Sequence, residues 1–255
     1  MTGSTIRNAG ELRRDRVLIC DCDGVLIDSE AVAAKMLVQE LQARWPHADV
    51  EPVVMPLLGL RIERVLEASA AALGQALAPI EMDAIRRSVE AAAQQAPVVA
   101  GVEAALEQIA LTKACASNSY TAYVHAVLAR TGLDRFFGSH VFCADRVPRP
   151  KPAPDIYIAV ADALGVASRA CIVVEDSVAG VAAASSAGMV VLGFAGGTHA
   201  EQGGRAHAEA LVQAGAQRVF DDMSALPALV GQWMSRVADR AGTAMNGKGD
   251  GSWQA

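Results

Sequence analysis

The sequence has few aromatic residues, and this scarcity narrows the classes of protein to which it can belong. Phenylalanine, tryptophan and tyrosine make up only 4% of the 255 residues, which gives no sign of the aromatic platforms on which single-stranded nucleic acids stack. Basic residues are fewer than acidic residues, and the formal net charge is −6 at pH 7. A chain of this charge is not expected to bind nucleic acids or anionic membranes in general. The sequence likewise indicates no protein partner.

Paired cysteines are also missing, because none of the five cysteines belongs to a C-x-x-C pair of the kind found in many metal and redox sites. Each lies in or beside an apolar run, which favours buried, reduced thiols over disulfides or metal ligands. The polar segment 1–16 lacks the apolar centre of a signal peptide, so we predict a cytoplasmic location. The cysteines are Cys20, Cys22, Cys115, Cys143 and Cys171.

One stretch without charged side chains, Ser177 to Ala200, is long enough in principle to cross a bilayer. It is rich in alanine, glycine and serine, and Gly188 divides it into a helix-like half and a strand-like half. We therefore predict a helix followed by a buried strand, and no membrane segment.

Short apolar runs alternate with helical segments along most of the chain. Near-continuous apolar strands separated by helices indicate a parallel sheet that is covered on both faces. The predicted fold class is therefore α/β, with a Rossmann-like parallel-sheet core. The predicted strands are residues 17–22, 113–116, 140–143, 171–174 and 189–194.

The pattern changes between residues 34 and 98, where apolar residues recur only at helical spacing. An all-helical segment placed after the first strand predicts an inserted cap domain. The predicted division is a discontinuous core of residues 1–33 and 99–240 and a cap of residues 34–98. The glycine-rich, polar segment 241–255 is predicted to be a disordered tail.

The first strand is followed by two aspartates, Asp21 and Asp23, in the segment VLICDCDGVLIDSE. Residues i and i+2 of a strand share a face, so both carboxylates are expected at the carboxyl edge of the sheet, where such folds bind ligands. Two carboxylates can divide nucleophilic and acid–base roles if a cation suppresses their repulsion. The alternative is a strand that ends in an acidic turn.

Three further segments place polar side chains near this edge. Ser117 and Asn118 close the second strand, where they can hold phosphate oxygens or cap the next helix. Lys151 lies among three prolines that restrict its backbone, although it could also be a solvated loop lysine. Glu175 and Asp176 follow a buried strand and offer the oxygen ligands that Mg²⁺ prefers, or a helix cap.

Taken together, these segments resemble the haloacid dehalogenase-like (HAD) hydrolase superfamily, in particular its phosphatases and phosphomutases with a helical cap (type C1, β-phosphoglucomutase-like). The resemblance extends over about residues 17–194, with the motifs in the order that the family has. The matching segments are DCDGVLIDSE at 21–30, SNS at 117–119, KPAPDIYI at 151–158 and VEDSVAGVAAASSAGM at 174–189.

The resemblance implies that Asp21 attacks phosphorus and becomes an aspartyl phosphate, while Asp23 acts as the acid–base residue. Mg²⁺ would be held by Asp21, the backbone carbonyl of Asp23 and Asp176, with Glu175 binding directly or through water. The residues implied to bind the phosphoryl group are Ser117, Asn118 and Lys151.

The implied activity is Mg²⁺-dependent hydrolysis of a small phosphorylated metabolite, either a sugar phosphate or a sugar-acid phosphate such as 6-phosphogluconate. Arg61, in the cap, could grip a second anionic or polyhydroxyl group of the substrate, or could be an exposed arginine that starts a helix. Related phosphonatases have a Schiff-base lysine at a similar cap position, so Arg61 disfavours phosphonate cleavage.

Three other activities fit the residues less well. Mutases of the β-phosphoglucomutase type carry a histidine where this chain has Ala33, which favours hydrolysis over isomerisation. Dehalogenases of the superfamily do not bind the metal that the acidic residues imply. Phosphoaccepting receiver domains carry similar groups in a different order and have no cap.

Overall fold

A six-stranded sheet forms the centre of the protein. In the computed structural model, which describes residues 13–196 and 200–246, all neighbouring strands are parallel. The strands lie in the order β3-β2-β1-β4-β5-β6, as in doubly wound nucleotide-binding sheets. The predicted fold class is therefore confirmed. The strands are β1 (Arg13–Cys20), β2 (Leu111–Ser117), β3 (Val141–Cys143), β4 (Cys171–Glu175), β5 (Val190–Phe194) and β6 (Arg218–Phe220).

Strand β6 is absent from the prediction, which had five strands. It has only three residues and pairs with β5 alone. An edge strand of this length need not carry a continuous apolar run, and Arg218 is exposed. Hydrophobic periodicity therefore gives little signal for it.

Helices cover both faces of the sheet and form the segment inserted after β1. Helix α11 continues to Asn246, past residue 241, where the predicted disordered tail begins; the tail stays a prediction. Residues 241–246 include two alanines and a methionine, which favour helix, and the run of glycines begins only at Gly247. Residues 247–255 of the predicted tail lie outside the described residues.

The helices are α1 (Glu30–Arg44), α2 (Glu51–Val54), α3 (Ile62–Ala72), α4 (Pro79–Ala93), α5 (Val102–Gln108), α6 (Thr121–Thr131), α7 (Asp134–Phe137), α8 (Asp155–Leu164), α9 (Val178–Ser186), α10 (Ala200–Ala214) and α11 (Leu226–Asn246).

Apolar side chains form one cluster on each face of the sheet and a third cluster within the cap. The cap cluster includes Leu41, Leu66 and Ile85, which are fully buried among helices α1, α3 and α4. The two connections to the cap run side by side, because Ile27 and Val98 form an antiparallel bridge. Helix α1 begins at residue 30 and so crosses the predicted boundary after residue 33. The division into domains stays a prediction.

The uncharged stretch beginning at Ser177 forms helix α9 and then the buried strand β5, as predicted. Within the described ranges, no helix combines the length and apolar character needed to cross a membrane. All five cysteines are buried and none is in a disulfide. They lie in the sheet or directly after its strands, and the cap contains none.

Candidate active site

The carboxyl ends of β1, β2 and β4 bring the polar residues singled out in the sequence to one edge of the sheet. Asp21 follows β1, Ser117 ends β2, Glu175 ends β4, and Asp176 comes next. Together with Lys151, all four are buried. The parallel topology thus places groups that are far apart in the sequence next to one another.

Asp21 and Asp23 lie at the end of β1 and in the turn that follows it. Strand β1 ends at Cys20, two residues earlier than predicted, and the backbone N–H groups of Leu26 and Ile27 donate to the carbonyl oxygen of Cys22. Both carboxylates line the same cavity, which is the shared orientation that the alternation of residues along a strand predicts. Cys22 packs into the apolar core.

Lys151 is the central cation of the site. Its Nζ donates to Asp21 Oδ1 at 2.6 Å, to Glu175 Oε1 at 2.5 Å and to the carbonyl oxygen of Ala116 at 2.8 Å. Burial alone would lower the pKa of Lys151, but the charges of Asp21 and Glu175 outweigh it and hold the pKa well above its usual value. Lys151 therefore stays protonated, with all three of its protons directed at acceptors.

Glu175 is anchored by other side chains as well as by Lys151. Its Oε1 accepts a hydrogen bond from the hydroxyl of Tyr157 at 2.5 Å, and its Oε2 accepts one from Ser177 Oγ at 3.1 Å. Gly180 allows this arrangement, because a Cβ there would lie 2.0 Å from Glu175 Cδ. With both oxygens engaged, Glu175 is suited to orienting Lys151.

Ser177 is the N-cap of α9, since its Oγ accepts a hydrogen bond from the N–H of Gly180 at 3.0 Å. The alternative in which Asp176 caps this helix is therefore wrong. Asp176 instead faces the turn after β1, where a Cβ on Gly24 would lie 1.9 Å from its Oδ2. Gly24 has a φ of +78°, so both the turn and this close approach require glycine.

Three hydroxyl groups hold the carboxylate of Asp23. Ser29 Oγ and the hydroxyl of Tyr123 donate to Oδ1 at 2.6 and 2.7 Å, and Ser119 Oγ donates to Oδ2 at 2.8 Å. These residues were not predicted as site residues. Ser29 and Ser119 lie in the quoted motifs, whereas Tyr123 comes from α6 and has no sequence signal of its own. The contacts fix the orientation of a carboxylate that faces the cavity.

Ser117 and Asn118 do not cap α6, because that helix begins at Thr121 and its N-cap is Tyr120. Ser117 lines the cavity, and its Oγ accepts a hydrogen bond from the N–H of Ser119 at 3.0 Å. The side chain of Asn118 bonds both the N–H and the carbonyl oxygen of Lys151. In this structure Asn118 therefore holds the loop that presents Lys151.

The acidic groups fit a divalent cation. Carboxylate oxygens of Asp21, Glu175 and Asp176 lie within 4.8 Å of one another. Burial raises the pKa of Asp21 well above its usual value, and it does the same for Asp176, where repulsion from Glu30 and Asp21 adds to the effect. A cation would relieve this crowding, and a set of oxygen donors suits a hard ion such as Mg²⁺. The donor set is therefore compatible with a divalent metal.

Arg61 is held at the contact between cap and core. Its Nη2 donates to the hydroxyl of Tyr120 at 2.5 Å, and its Nε lies 2.9 Å from Glu63 Oε2. Its guanidinium also stacks over the ring of Tyr120, at 4.7 Å from the centroid. Arg61 is the N-cap residue of α3, but it is not a freely exposed arginine. It is not among the residues that line the cavity.

The cavity between cap and core has a volume of about 120 Å³, below the roughly 300–1,000 Å³ of typical small-molecule sites. Its walls include Glu30 and Glu90, which the sequence analysis did not single out. Glu90 is paired with Arg86 at 2.7 Å. Burial, with repulsion from Asp23 and Glu175, raises the pKa of Glu30 to about 7. The cap is thus closed over a small cavity with acidic walls.

Comparison with known proteins identifies the class to which this fold and site belong. Residues 16–188 match the family model described as haloacid dehalogenase-like hydrolase. The match covers more than half of the chain, so the protein belongs to this family. The predicted family is confirmed, and so is the predicted enzyme class, a phosphatase of this family.

Particular relatives include two enzymes of Escherichia coli. The chain is 26% identical to 6-phosphogluconate phosphatase over 74% of this chain and 86% of that enzyme. It is 31% identical to fructose-1-phosphate phosphatase over 68% of this chain and 92% of that enzyme. Among solved structures, a HAD family hydrolase of Deinococcus radiodurans with bound phosphate and sodium is 30% identical, with a TM-score of 0.65, covering 89% of this chain and 97% of the other.

Proposed function

We propose that this protein is a Mg²⁺-dependent phosphatase that hydrolyses a small phosphorylated sugar through an aspartyl phosphate on Asp21. The observation that carries the proposal is the buried group formed by Asp21, Lys151, Glu175 and Asp176 at the carboxyl edge of the sheet. The names of the two Escherichia coli relatives support it, because one is a phosphatase of a sugar phosphate and the other of a sugar-acid phosphate.

In the proposed reaction Asp21 attacks phosphorus, and Asp23 protonates the leaving oxygen and later takes a proton from the attacking water. Lys151 would pair with the phosphoryl oxygens, and Ser117 would donate a hydrogen bond to them. Mg²⁺, held by Asp21, Asp176 and the backbone carbonyl of Asp23, would supply positive charge against the phosphoryl group. Glu175 would act on the metal directly or through water while it holds Lys151 in place.

The walls of the cavity favour a leaving group without a carboxylate over one that carries a carboxylate. Glu30 and Glu90 face the cavity, and only Glu90 is paired with an arginine. A carboxylate on the substrate would be repelled by these groups in their charged form, whereas sugar hydroxyls could donate hydrogen bonds to them. We therefore propose a sugar phosphate rather than a sugar-acid phosphate such as 6-phosphogluconate.

Phosphate release from a panel of metabolites tests this function. The panel contains fructose 1-phosphate, glucose 6-phosphate and 6-phosphogluconate, each with Mg²⁺ and with EDTA, and β-glucose 1-phosphate is followed for isomerisation. We expect metal-dependent release of phosphate, fastest with a sugar phosphate whose sugar carries no carboxylate. Isomerisation without release would identify a mutase despite Ala33. A preference for 6-phosphogluconate would refute the argument from the acidic walls.

Arg61 remains a proposed specificity residue. In the closed arrangement it is bound to Glu63 and Tyr120, so it would reach a substrate only after exchanging one of these partners. Arg61→Ala should then raise KM for the preferred sugar phosphate about tenfold more than KM for p-nitrophenyl phosphate. An equal rise for both compounds would remove Arg61 from the specificity site.

A further inference from the structure

A second cleft lies at the opposite edge of the sheet from the candidate active site. It opens at the amino ends of β4, β5 and β6 and beside the first half of β1, and its volume is about 840 Å³. This is within the roughly 300–1,000 Å³ range of small-molecule sites. Ligands of parallel α/β sheets normally bind at the carboxyl edge, so the proposed phosphatase chemistry does not account for this cleft.

Four arginines are among the described residues that line the cleft. The lining is therefore basic, although the chain as a whole is acidic. Among the residues that the structure describes, Asp15 is the one acidic residue in its lining, whereas the chain as a whole has a formal charge of −6. Within the described residues, no hydrogen bond or ion pair is recorded for any of these guanidinium groups. Several other surface arginines are paired, as Arg64 is with Glu67 and Arg87 is with Asp83. The arginines of the cleft are Arg16, Arg169, Arg218 and Arg236.

Two buried donors in the cleft also lack acceptors. The side chain of Trp233 is only 7% exposed, yet its indole Nε1 has no hydrogen-bond partner. Arg16 stacks over this indole at 5.3 Å from the ring centroid, and its buried Nη1 is likewise unsatisfied. Leaving buried donors unpaired costs free energy, and buried polar groups in proteins are nearly always satisfied. Because both nitrogens are buried, an acceptor atom of a ligand in the cleft would reach them only after the Arg16 side chain shifts.

Regular secondary structure, namely one helix and the strands of the sheet, supplies much of the cleft's lining. Leu229, Gln232, Trp233 and Arg236 recur at helical spacing on one face of α11. Arg16 lies in β1 and Arg218 begins β6, so the sheet holds the backbone of two of the arginines. Arginine is the side chain best suited to planar, paired contacts with phosphate oxygens.

We propose that this cleft binds a small polyanion of the phosphate type, at a site separate from the catalytic one. The exposed guanidinium groups of Arg169, Arg218 and Arg236 would contact the anionic oxygens. The apolar part of the lining, including Leu192 and Leu229, can accommodate the body of a larger molecule such as a nucleotide.

Tryptophan fluorescence offers a local test. In a Trp45→Phe/Trp253→Phe background only Trp233 reports, so anions bound at the active site leave the signal unchanged. Tripolyphosphate is titrated up to about 10 mM in about 0.15 M salt, and ATP in parallel. We expect a saturable change with tripolyphosphate. Equal affinities would mean that the phosphate chain alone is recognised, and tighter binding of ATP would identify a nucleotide as the ligand.

Charge-matched variants decide whether the cleft is responsible. Arg169→Ala/Arg218→Ala removes two exposed cleft arginines and should weaken binding of tripolyphosphate by roughly tenfold or more. Arg64→Ala/Arg87→Ala removes the same charge from the cap and should leave the affinity within about twofold. No saturable change, or equal losses in both variants, would overturn the proposal, whatever the outcome of the phosphatase assay.

Discussion

At the scale of single residues, the nucleophile assignment makes the sharpest prediction. Asp21→Asn keeps the shape of the side chain but removes the attacking charge, so kcat should fall by about 10⁴-fold or more while circular dichroism stays native. The matched control is Asp49→Asn, an exposed aspartate in the cap, which should keep normal activity. A folded Asp21→Asn protein that retains wild-type kcat would refute the assignment.

Glu30 predicts a pH dependence of stability. Its pKa of about 7 in the folded protein exceeds the roughly 4.3 of an unfolded glutamate, so folding disfavours its charged form. The wild type should therefore lose stability relative to Glu30→Gln as pH rises from about 4 to 7, by roughly 1–3 kcal/mol in total.

Urea unfolding of both proteins in EDTA across this pH range measures the difference. Glu51→Gln, at an exposed glutamate of the cap, serves as the control and should show a nearly constant difference from the wild type. A constant difference for Glu30→Gln as well would show that its carboxyl is not perturbed.

The sequence predicted these residues unequally well. Motif positions such as Lys151 and Asp176 are brought into one buried group in the structure, because parallel strands align their carboxyl ends whatever their separation in sequence. Tyr123 and Glu90 lie on helix faces where their types and spacing also suit ordinary surface or core positions. Their proximity to the site depends on how cap and core pack, which periodicity does not reveal.

At the scale of elements, the contact between α9 and β4 predicts the effect of one methyl group. Gly180→Ala would place a Cβ 2.0 Å from the Glu175 carboxyl carbon, so Glu175 must move and release Lys151. We expect kcat to fall by at least about tenfold, although alanine favours helix.

Gly231→Ala in α11 is the matched control, since nothing lies within 4 Å of its added Cβ. It should stabilise the protein by about 0.5–1 kcal/mol in urea unfolding and leave kcat unchanged. Full activity of Gly180→Ala would contradict the role of Glu175 in holding Lys151.

The contact between α3 and the start of α6 joins cap to core through Tyr120. Its hydroxyl donates to Glu63 Oε1 at 2.6 Å and accepts from Arg61. Tyr120→Phe loses both bonds and should reduce the free energy of unfolding by about 1–2 kcal/mol. Arg64→Ala breaks a highly exposed ion pair on the same helix and should change it by less than about 0.5 kcal/mol. Equal effects would mean that Tyr120 does not secure the cap.

Sequence patterning located elements better than it located their ends. Strand β4 was placed to within one residue because its first four residues are apolar and the whole strand is buried. The end of β1 was misplaced because most residues of the following turn, Cys22 and Val25 to Ile27, are apolar and fully buried, so hydrophobicity does not mark where the strand stops. Strand β6 was too short to be detected.

At the scale of the whole molecule, the crowded carboxylates predict that a metal stabilises the fold. Adding Mg²⁺ at about one hundred times its dissociation constant should raise the free energy of unfolding by about 2.7 kcal/mol and the Tm by several degrees. Asp176→Asn should lose most of this rise, whereas Asp49→Asn should keep it. An equal rise in both variants, measured by thermal unfolding with and without EDTA, would place the metal elsewhere.

The closed cap has a consequence for turnover. A cavity of about 120 Å³ is smaller than the roughly 300 Å³ at the lower limit of small-molecule sites, so a sugar phosphate requires the cap to move away from the core. Residue spacing in the sequence indicated that a cap exists, but the distance between cap and core is a property of the packed structure alone.

The distribution of cysteines allows thiol labelling to distinguish movement of the cap from unfolding of the core. All five thiols are buried in the core, and the cap carries none. Movement of the cap should therefore not expose any thiol. A thiol-reactive dye should modify the protein only when the core that contains the sheet unfolds. The rate of modification would report unfolding of the core, whereas the rate of turnover depends on movement of the cap. Comparing the two rates would distinguish these motions.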